Sequence, residues 1–377
     1  MSSPRALYLH IPFCRRRCGY CSFVSFSGRE HDIPRYLRAL EGEIGLRGTQ
    51  AATLDSVYIG GGTPSLLAPG QVDSLLATVR RNFVISESAE ISMEANPGTV
   101  NGDYLKAVRA AGINRLSLGV QSLDERELRL LGRIHTRQEA LEAVSLAAAA
   151  GFDNISLDFI YGVPGRSQGS WRSMLADITR LPAVHLSLYA LTLEEDTPLG
   201  QKVSRGRFKA MSEDAVADEY EVAVETLAQA GFHQYEISNW AKSGAECRHN
   251  LVYWQRQPYL GMGVAAHSFS GDNRQANTSS LDEYLAALEQ GSLPAVAIDA
   301  IAAASALGET IMLGLRLNSG VAADDIQRRF NVNLMQRYSA EIAELTALGL
   351  LETGEGRVRL TLRGRMLGNE VFMRFLP

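Results

Sequence analysis

Three of the four cysteines in the chain lie within eight residues, in the segment CRRRCGYC, as Cys14, Cys18 and Cys21. This C-x3-C-x2-C spacing directly follows a predicted strand, ALYLHI. Thiolates are the usual ligands of iron–sulfur clusters, and three on one short loop can hold three corners of a [4Fe–4S] cube. The fourth iron then has no protein ligand and can bind a substrate, as the open position of a catalytic zinc does. The intervening arginines, Arg15 to Arg17, would offset the negative charge of such a cluster.

Two other uses of these cysteines stay open from the spacing alone. A zinc site normally takes four ligands, and Cys247 or His10 would complete one. A disulfide would leave an odd thiol, and close-set cysteines in a reducing compartment indicate metal or redox chemistry first. We expect such a compartment, the cytoplasm, because no secretory leader is visible and its cleavage would disrupt the cysteine cluster.

The elements that position this loop alternate between short apolar strands and helices. Strands are predicted over 6–11, 56–60, 90–95, 115–121, 154–162 and 184–191, and helices over 33–47, 69–82, 101–111, 137–150, 168–180 and 212–230. Such alternation predicts right-handed βαβ units and a parallel sheet. Six units indicate an α/β fold with a partial (β/α)6 barrel resembling a TIM barrel, whose chemistry lies at the carboxyl ends of the strands.

The remainder of the chain is predicted to form two further regions with different secondary structure. After the strand-like FHQYEIS we expect a loop rich in Gly, Asn and aromatic residues, and then helix over 281–317. From Gly320, two helices and a hairpin with Gly354 and Gly356 at its turn predict a small module resembling a winged helix. We therefore expect a barrel over 1–230, an extension over 231–305 and a C-terminal domain over 306–377.

Composition limits the possible partners. The net charge is −5 and 46% of the residues are hydrophobic, which is typical of a globular protein. The acidic balance argues against a nucleic-acid partner, and it favours a structural cap over a DNA-binding role for the C-terminal module. No apolar run reaches the ~18 residues of a spanning helix.

The cysteine segment, with Tyr20 before its last cysteine, resembles the radical S-adenosylmethionine (SAM) superfamily. The resemblance implies that SAM chelates the open iron through its amino and carboxylate groups. Reductive cleavage would then give methionine and a 5′-deoxyadenosyl radical, with the cofactors carrying the chemistry.

Polar or glycine-rich segments end the successive predicted strands. IGGGTPS ends the second strand, and glycines there allow close approach of the backbone to a ligand. Within the resemblance, Gly60, Gly61, Gly62 and Thr63 form the loop that receives the SAM amino group. Arg133 in GRIH suits the SAM carboxylate as a charge-assisted partner.

A narrower resemblance extends over nearly the whole chain. Six sequence segments, in their order along the chain, resemble the branch that contains oxygen-independent coproporphyrinogen III oxidases and the HemW haem chaperones. These segments are YLHIPFC, GGGTPSLL, MEANPGT, RLSLGVQS, GRIHT and HNLVYW. The resemblance implies a first SAM pocket that includes Tyr8, Gly62 and Glu94. It further implies positions that line a second SAM pocket in the oxidase, namely Tyr20, Thr63, Gln121, Arg133 and Asp158.

Two features separate the oxidase from the chaperones. The oxidase pattern has a further cysteine two places after the third, where this chain has Phe23. The chaperone pattern HN-x2-YW occurs here as His249, Asn250, Tyr253 and Trp254. Imidazole is a common axial ligand of haem iron, and the aromatic pair offers flat apolar faces to a porphyrin. A buried histidine beside packed aromatics is the structural alternative, and His267 is the rival ligand.

The sequence thus predicts a haem chaperone that carries a [4Fe–4S] cluster and SAM and delivers haem to acceptor apo-haem proteins. A homodimer and a peripheral membrane contact are compatible with this role. One alternative is a radical SAM oxidase that decarboxylates two propionates of coproporphyrinogen III. Another is an unrelated radical SAM enzyme that modifies tRNA, which the acidic charge disfavours.

Overall fold

The computed structural model describes residues 4–50, 52–271, 273–294 and 296–377. Strands and helices alternate through the first two-thirds of the chain. The strands are β1 (Ala6–Ile11), β2 (Phe13–Cys14), β3 (Phe26–Ser27), β4 (Thr53–Gly61), β5 (Val84–Ala95), β6 (Arg115–Gln121), β7 (Asn154–Tyr161) and β8 (His185–Ala190). The helices are α1 (Ile33–Arg47), α2 (Pro69–Asn82), α3 (Gly102–Ala111), α4 (Glu125–Leu131), α5 (Arg137–Ala149), α6 (Gln168–Ile178), α7 (Pro198–Ser204) and α8 (Glu213–Gln229).

Local signals fix several of these boundaries. A capping box at Thr136 and Glu139 starts α5, and Asn101 accepts a hydrogen bond from the backbone of Tyr104 to start α3. Gly112 ends α3 with a φ of 114°, a left-handed conformation that glycine adopts at little cost. These are the helices that the apolar periodicity predicts.

The six long strands lie side by side in the order β1-β4-β5-β6-β7-β8, and every neighbouring pair is parallel. Their apolar side chains and the covering helices share one core, with Leu9, Ile59 and Leu118 among its buried residues. The predicted α/β fold, a partial (β/α)6 barrel, is confirmed. All six carboxyl ends therefore meet at one edge of the sheet.

Residues 231–316 lengthen this sheet on both sides. Their elements are β9 (His233–Glu236), β10 (Asn239–Ala241), α9 (Arg248–Trp254), β11 (Tyr259–Met262), β12 (His267–Phe269), β13 (Asn273–Asn277), α10 (Leu281–Glu289), β14 (Val296–Ala300) and α11 (Ala303–Arg316). β10 and β9 follow β8, whereas β11 joins β1 in parallel and leads to β12, β13 and β14. The described part of this sheet has 12 strands.

Two predictions for this region are wrong. HNLVYW lies on helix α9 and not in a loop. The helix expected over 281–317 is interrupted by β14, because residues 296–300 complete the sheet edge beside β13. Residue 295 lies outside the described residues.

The C-terminal module forms its own small core. It contains β15 (Val321–Ala322), α12 (Ala323–Phe330), α13 (Leu334–Arg337), α14 (Ser339–Ala347), β16 (Leu351–Gly354), β17 (Arg357–Leu360), α15 (Leu362–Met366) and α16 (Gly368–Phe372). Glu355 and Gly356 both have positive φ, as the tight turn of the predicted hairpin requires. Ile326, Leu345 and Val358 lie in a core that also takes in Ile311 of α11. The division at residues 230 and 305 stays a prediction.

Among the described helices, none combines the length and the apolar character that crossing a bilayer requires.

Candidate cofactor site

The cysteine loop starts at the carboxyl end of β1. Cys14 is buried, Cys18 and Cys21 are half-buried, and all three are free thiols. The loop is anchored through Gly19, whose N–H donates to Leu131 O (2.9 Å) and whose carbonyl accepts from the N–H of Leu199 (2.7 Å). Three thiols on one anchored loop suit an iron–sulfur cluster better than a single ion.

The residues proposed to complete a zinc site have other partners. Cys247 is buried and its Sγ lies 3.5 Å from Glu90 Oε1. His10 uses both ring nitrogens, with Nδ1 3.0 Å from Tyr8 OH and Nε2 3.0 Å from the carbonyl of Val24. Neither Cys247 nor His10 is therefore placed to complete a zinc site with the three cysteines.

The glycine loop at the end of β4 packs too closely against β1 and the cysteine loop to carry side chains at two positions. A Cβ on Gly61, whose φ is 117°, would lie 2.6 Å from the His10 ring. A Cβ on Gly62 would lie 2.7 Å from the carbonyl oxygen of Phe13 and 3.0 Å from Cys14 Sγ. Only glycine fits both positions, and the backbone here faces the cysteine loop directly.

Glu94 lies at the end of β5, beside the glycine loop. Its carboxylate accepts hydrogen bonds from Tyr58 OH (2.9 Å) and from the N–H of Gly61 (3.0 Å). Desolvation inside the barrel, together with the carboxylate of Asp158, raises the pKa of Glu94 to about 7. Asp158 accepts from Ser117 Oγ (3.1 Å), and desolvation raises its pKa as well.

Arg133 connects the cysteine loop to the ends of two strands. Its Nη1 donates to Cys18 Sγ (3.2 Å), and its Nη2 donates to the carbonyl of Gly119 (2.7 Å) and to Asn96 Oδ1. Nε is buried and has no partner among the described residues. An unpaired N–H of a cation beside a cysteine loop is where an anionic ligand group would be bound.

Asn96 is a functional candidate that sequence reasoning missed. Its Nδ2 donates to Thr63 Oγ1 (3.0 Å), which in turn lies 3.5 Å from Cys14 Sγ. A chain of contacts thus runs from Arg133 through Asn96 and Thr63 to the first cysteine. The signal was its place in EANPG, two residues after Glu94 at a strand end.

The other predicted SAM residues surround the same edge. Tyr8 lies on β1 with its ring 6.1 Å from that of Tyr58. Tyr20 packs against the apolar cluster of Leu131 and Leu199. Gln121 ends β6 with a φ of 69°, where the register to β7 is irregular.

His249 of HNLVYW is buried, and both of its ring nitrogens are engaged. Nδ1 lies 2.9 Å from Ser56 Oγ and Nε2 lies 2.8 Å from Tyr253 OH. Burial, with Arg115 nearby, lowers its pKa to about 3, so the ring is neutral. In this arrangement His249 does not fit the role of an axial haem ligand.

His185 shows the same arrangement outside any motif. It is buried, with Nδ1 2.8 Å from Ser156 Oγ and Nε2 2.8 Å from Tyr235 OH. A buried histidine bonded to a serine and a tyrosine therefore occurs at two positions among the described residues, and at His185 it has a structural role. His267, the rival ligand, is exposed at the start of β12.

The remaining motif residues are half-buried. The guanidinium of Arg316 stacks 4.5 Å from the ring centre of Trp254, and the indole Nε1 of Trp254 is buried without a partner among the described residues. Tyr253 packs edge-on against Tyr259, with ring centres 4.6 Å apart. Asn250 lies one residue after His249 on α9.

Known families and proteins match the chain over almost its full length. Residues 8–178 match the Radical SAM superfamily, and residues 302–367 match the HemN C-terminal domain. The protein named Heme chaperone HemW of Bacillus subtilis is 33% identical over 99% of this chain and 99% of its own. Its namesake in Mycobacterium tuberculosis is 37% identical over 98% of this chain and 94% of its own. This chain belongs to the HemW family.

This chain also resembles a solved oxidase structure in three dimensions. One similar solved structure is that of coproporphyrinogen III oxidase (HemN) from Escherichia coli, which is described as a radical SAM enzyme. The similarity extends over 99% of this chain and 90% of the oxidase chain. The TM-score is 0.86 at 26% sequence identity. Both the barrel and the C-terminal module of this chain therefore have the same fold as in that enzyme.

Proposed function

We propose that this chain binds haem and transfers it to acceptor apo-haem proteins, while it holds a [4Fe–4S] cluster and SAM. The observation that carries the proposal is the 33–37% identity to proteins named Heme chaperone HemW over essentially the whole chain. The HNLVYW segment that distinguishes the chaperones by sequence is present in full.

The cofactors follow from membership of the radical SAM superfamily. When bound, the cluster and SAM supply one-electron reductive chemistry. Cys14, Cys18 and Cys21 would hold the cluster, because they are free thiols on one anchored loop. Glu94 would accept hydrogen bonds from ribose hydroxyls, and the unpaired Nε–H of Arg133 would donate to the SAM carboxylate.

Coproporphyrinogen III oxidase activity is the second candidate, and the similarity to HemN favours it. Phe23 counts against it, since this residue stands where the oxidase pattern has a further cysteine. The Phe23 side chain is 69% exposed and offers no thiol or other metal ligand.

Two histidines compete as the haem ligand. For His249 to bind iron, either Tyr253 must release Nε2 or Ser56 must release Nδ1. The assignment of Asn250, Tyr253 and Trp254 to haem stays a prediction. His267 is already exposed. This accessibility supports His267 as the ligand.

An anaerobic haem titration followed by Soret absorption tests the proposal. The wild type should bind haem saturably, and His267→Ala should weaken binding or change the spectrum. His249→Ala is compared with His185→Ala, because the two substitutions remove histidines with the same pair of partners. If only His249→Ala of these two alters the Soret band, the iron ligand is His249. A wild type that binds no haem refutes the chaperone role.

Transfer is tested separately from binding. The haem-loaded protein is mixed with a purified apo-haem protein, and the Soret band of the acceptor is followed after the two are separated. The acceptor should gain haem faster than from free haem at the same concentration. Retention of haem on this chain would contradict a transfer function.

A further inference from the structure

The HNLVYW segment lies against the residues of the proposed SAM pocket. The His249 ring packs on that of Tyr58, with ring centres 5.1 Å apart and planes 32° from parallel. Tyr58 in turn stacks on Tyr8, with ring centres 6.1 Å apart and planes 26° from parallel. The ring centre of Tyr8 also lies 6.3 Å from that of His249, so His249 of the motif, Tyr58 and the predicted SAM residue Tyr8 form one cluster of three rings.

The hydroxyl of Tyr58 connects this ring cluster to the carboxylate of Glu94. Its hydroxyl donates to Glu94 Oε1 at 2.9 Å, and the second oxygen of that carboxylate accepts from the N–H of Gly61 at 3.0 Å. Each oxygen therefore has one fixed donor, which sets the plane of the carboxylate. The other lone pairs stay available to a ligand.

Two hydrogen bonds fix the orientation of His249, the motif ring that packs on Tyr58. His249 is fixed through Nδ1 to Ser56, two residues before Tyr58 and hence on the same face of β4. Its other nitrogen is fixed to Tyr253, one turn further along α9. A ring with both nitrogens bonded cannot rotate without losing a buried hydrogen bond, so it presents a rigid face to Tyr58.

We infer that Tyr58 is a positioning residue for the SAM-binding carboxylate of Glu94, and that His249 and Tyr253 of HNLVYW act as its support. The inference rests on the proposed SAM site. It gives the motif a role in this chain that requires no bond to haem iron. It also predicts that a change at the motif alters SAM binding, although the motif itself does not line the cysteine loop.

The charge on Glu94 depends on groups from several elements. The carboxylate of Asp158 on β7 favours its neutral form, whereas the hydrogen bonds from Tyr58 and Gly61 and the charge of Arg115 on β6 favour the ionised form. The further neighbours are Tyr8 on β1, Tyr189 on β8 and Tyr253 on α9, whose own ionisation Glu94 opposes.

Tyr58→Phe tests the inference directly, because it keeps the ring that packs on Tyr8 and His249 and removes only the hydroxyl. SAM affinity of the anaerobic, cluster-loaded protein is measured by calorimetry between pH 6 and 9. We expect roughly tenfold weaker binding at neutral pH, as for loss of one hydrogen bond to a charged group. If ionised Glu94 binds SAM, affinity falls as the pH drops through its pKa, and without the Tyr58 donor this midpoint should move to higher pH.

Tyr220→Phe is the matched control. Tyr220 is buried, and its hydroxyl donates to the carbonyl of Ile237 at 2.9 Å and accepts from Gln234 Nε2 at 2.6 Å, so this variant loses at least as much hydrogen bonding as Tyr58→Phe. It should bind SAM with the wild-type affinity and pH midpoint. Glu94→Gln should abolish the pH dependence, which assigns the midpoint to that carboxylate.

The support by the motif is tested with His249→Ala and His185→Ala. Both remove a buried histidine held between a serine and a tyrosine, but only His249 packs on Tyr58. We expect weaker SAM binding and a raised midpoint for His249→Ala alone. Wild-type SAM affinity and midpoint in Tyr58→Phe would overturn the positioning role, and equal effects of the two histidine variants would overturn the role of the motif.

The outcome is independent of haem carriage. A wild type that binds SAM but no haem refutes the chaperone function and leaves the positioning role intact. A wild type that binds haem but no SAM refutes the SAM site and the positioning role together.

Discussion

Arg133→Ala should weaken SAM binding without removing the cluster. Two of the three nitrogens of the Arg133 guanidinium are already engaged, with Cys18 Sγ at 3.2 Å, the Gly119 carbonyl at 2.7 Å and Asn96. The third, Nε, is buried and unpaired among the described residues. A SAM carboxylate that accepts from Nε–H, once the groups that bury this atom move aside, would therefore pair a nitrogen that has no hydrogen-bond partner among the described residues.

The expected size follows from that single bond. A hydrogen bond with a charged partner contributes about 1.5–3 kcal/mol, which corresponds to roughly a 10- to 150-fold higher Kd. Arg133→Lys keeps the charge, but one ammonium cannot span the cysteine loop and two strand ends while it also donates to a ligand. We expect the lysine variant to recover only part of the loss.

The assay is calorimetric titration of SAM into protein that has been reconstituted with iron and sulfide under anaerobic conditions. Iron content and visible absorption are measured first, because Arg133 also contacts Cys18 and a lost cluster would mimic a lost SAM site. Arg109→Ala is the control, since Arg109 donates to the carbonyl of Gly151 away from the cysteine loop. SAM affinity of Arg133→Ala within twofold of the wild type, with the cluster intact, would refute the placement of the carboxylate.

Two further outcomes follow from named contacts. Cys18→Ala should lose the broad visible absorption and the bound iron of the reconstituted cluster, whereas Cys247→Ala should keep both, because Cys247 is paired with Glu90; unchanged iron content in Cys18→Ala would refute the cluster assignment. Glu43→Ala should lower the free energy of unfolding, measured by chemical denaturation, by about 3–5 kcal/mol. The reason is that buried Glu43 forms an ion pair with Arg47 and accepts a hydrogen bond from the backbone N–H of Gly263. A loss below about 1 kcal/mol would mean that this carboxylate does not anchor the loop after β11.

The periodicity of apolar residues in the sequence was sufficient to predict the strands and helices of the barrel. Strands 6–11 and 115–121 and helices 33–47 and 69–82 have the predicted bounds, because each is a complete local pattern of apolar spacing, caps and turn residues. Parallel βαβ connectivity then required the strand ends to meet at one edge. The sequence alone therefore predicts that the cysteine loop, the glycine loop and Glu94 lie close together.

The edge strands were not predictable in this way. β11 and β12 have four and three residues, too few to show a period, and β11 exists as a strand because it pairs with β1, more than 240 residues earlier in the chain. The sequence of β14, VAIDA, lacks the alternation of apolar and polar residues that indicates a strand. Its partner β13 makes it a strand.

The state of His249 shows the same division between sequence and structure. The sequence determined that an imidazole, two aromatic rings and an amide lie within six residues, which is a set of groups suited to a porphyrin. Whether the imidazole nitrogens are free depends on Ser56, which lies 193 residues away in the chain, and on the α9 turn that brings Tyr253 to Nε2. Hydrogen bonds are satisfied by whichever groups the fold brings within about 3 Å, so only the tertiary structure decided that this histidine is held inside the barrel against Tyr58.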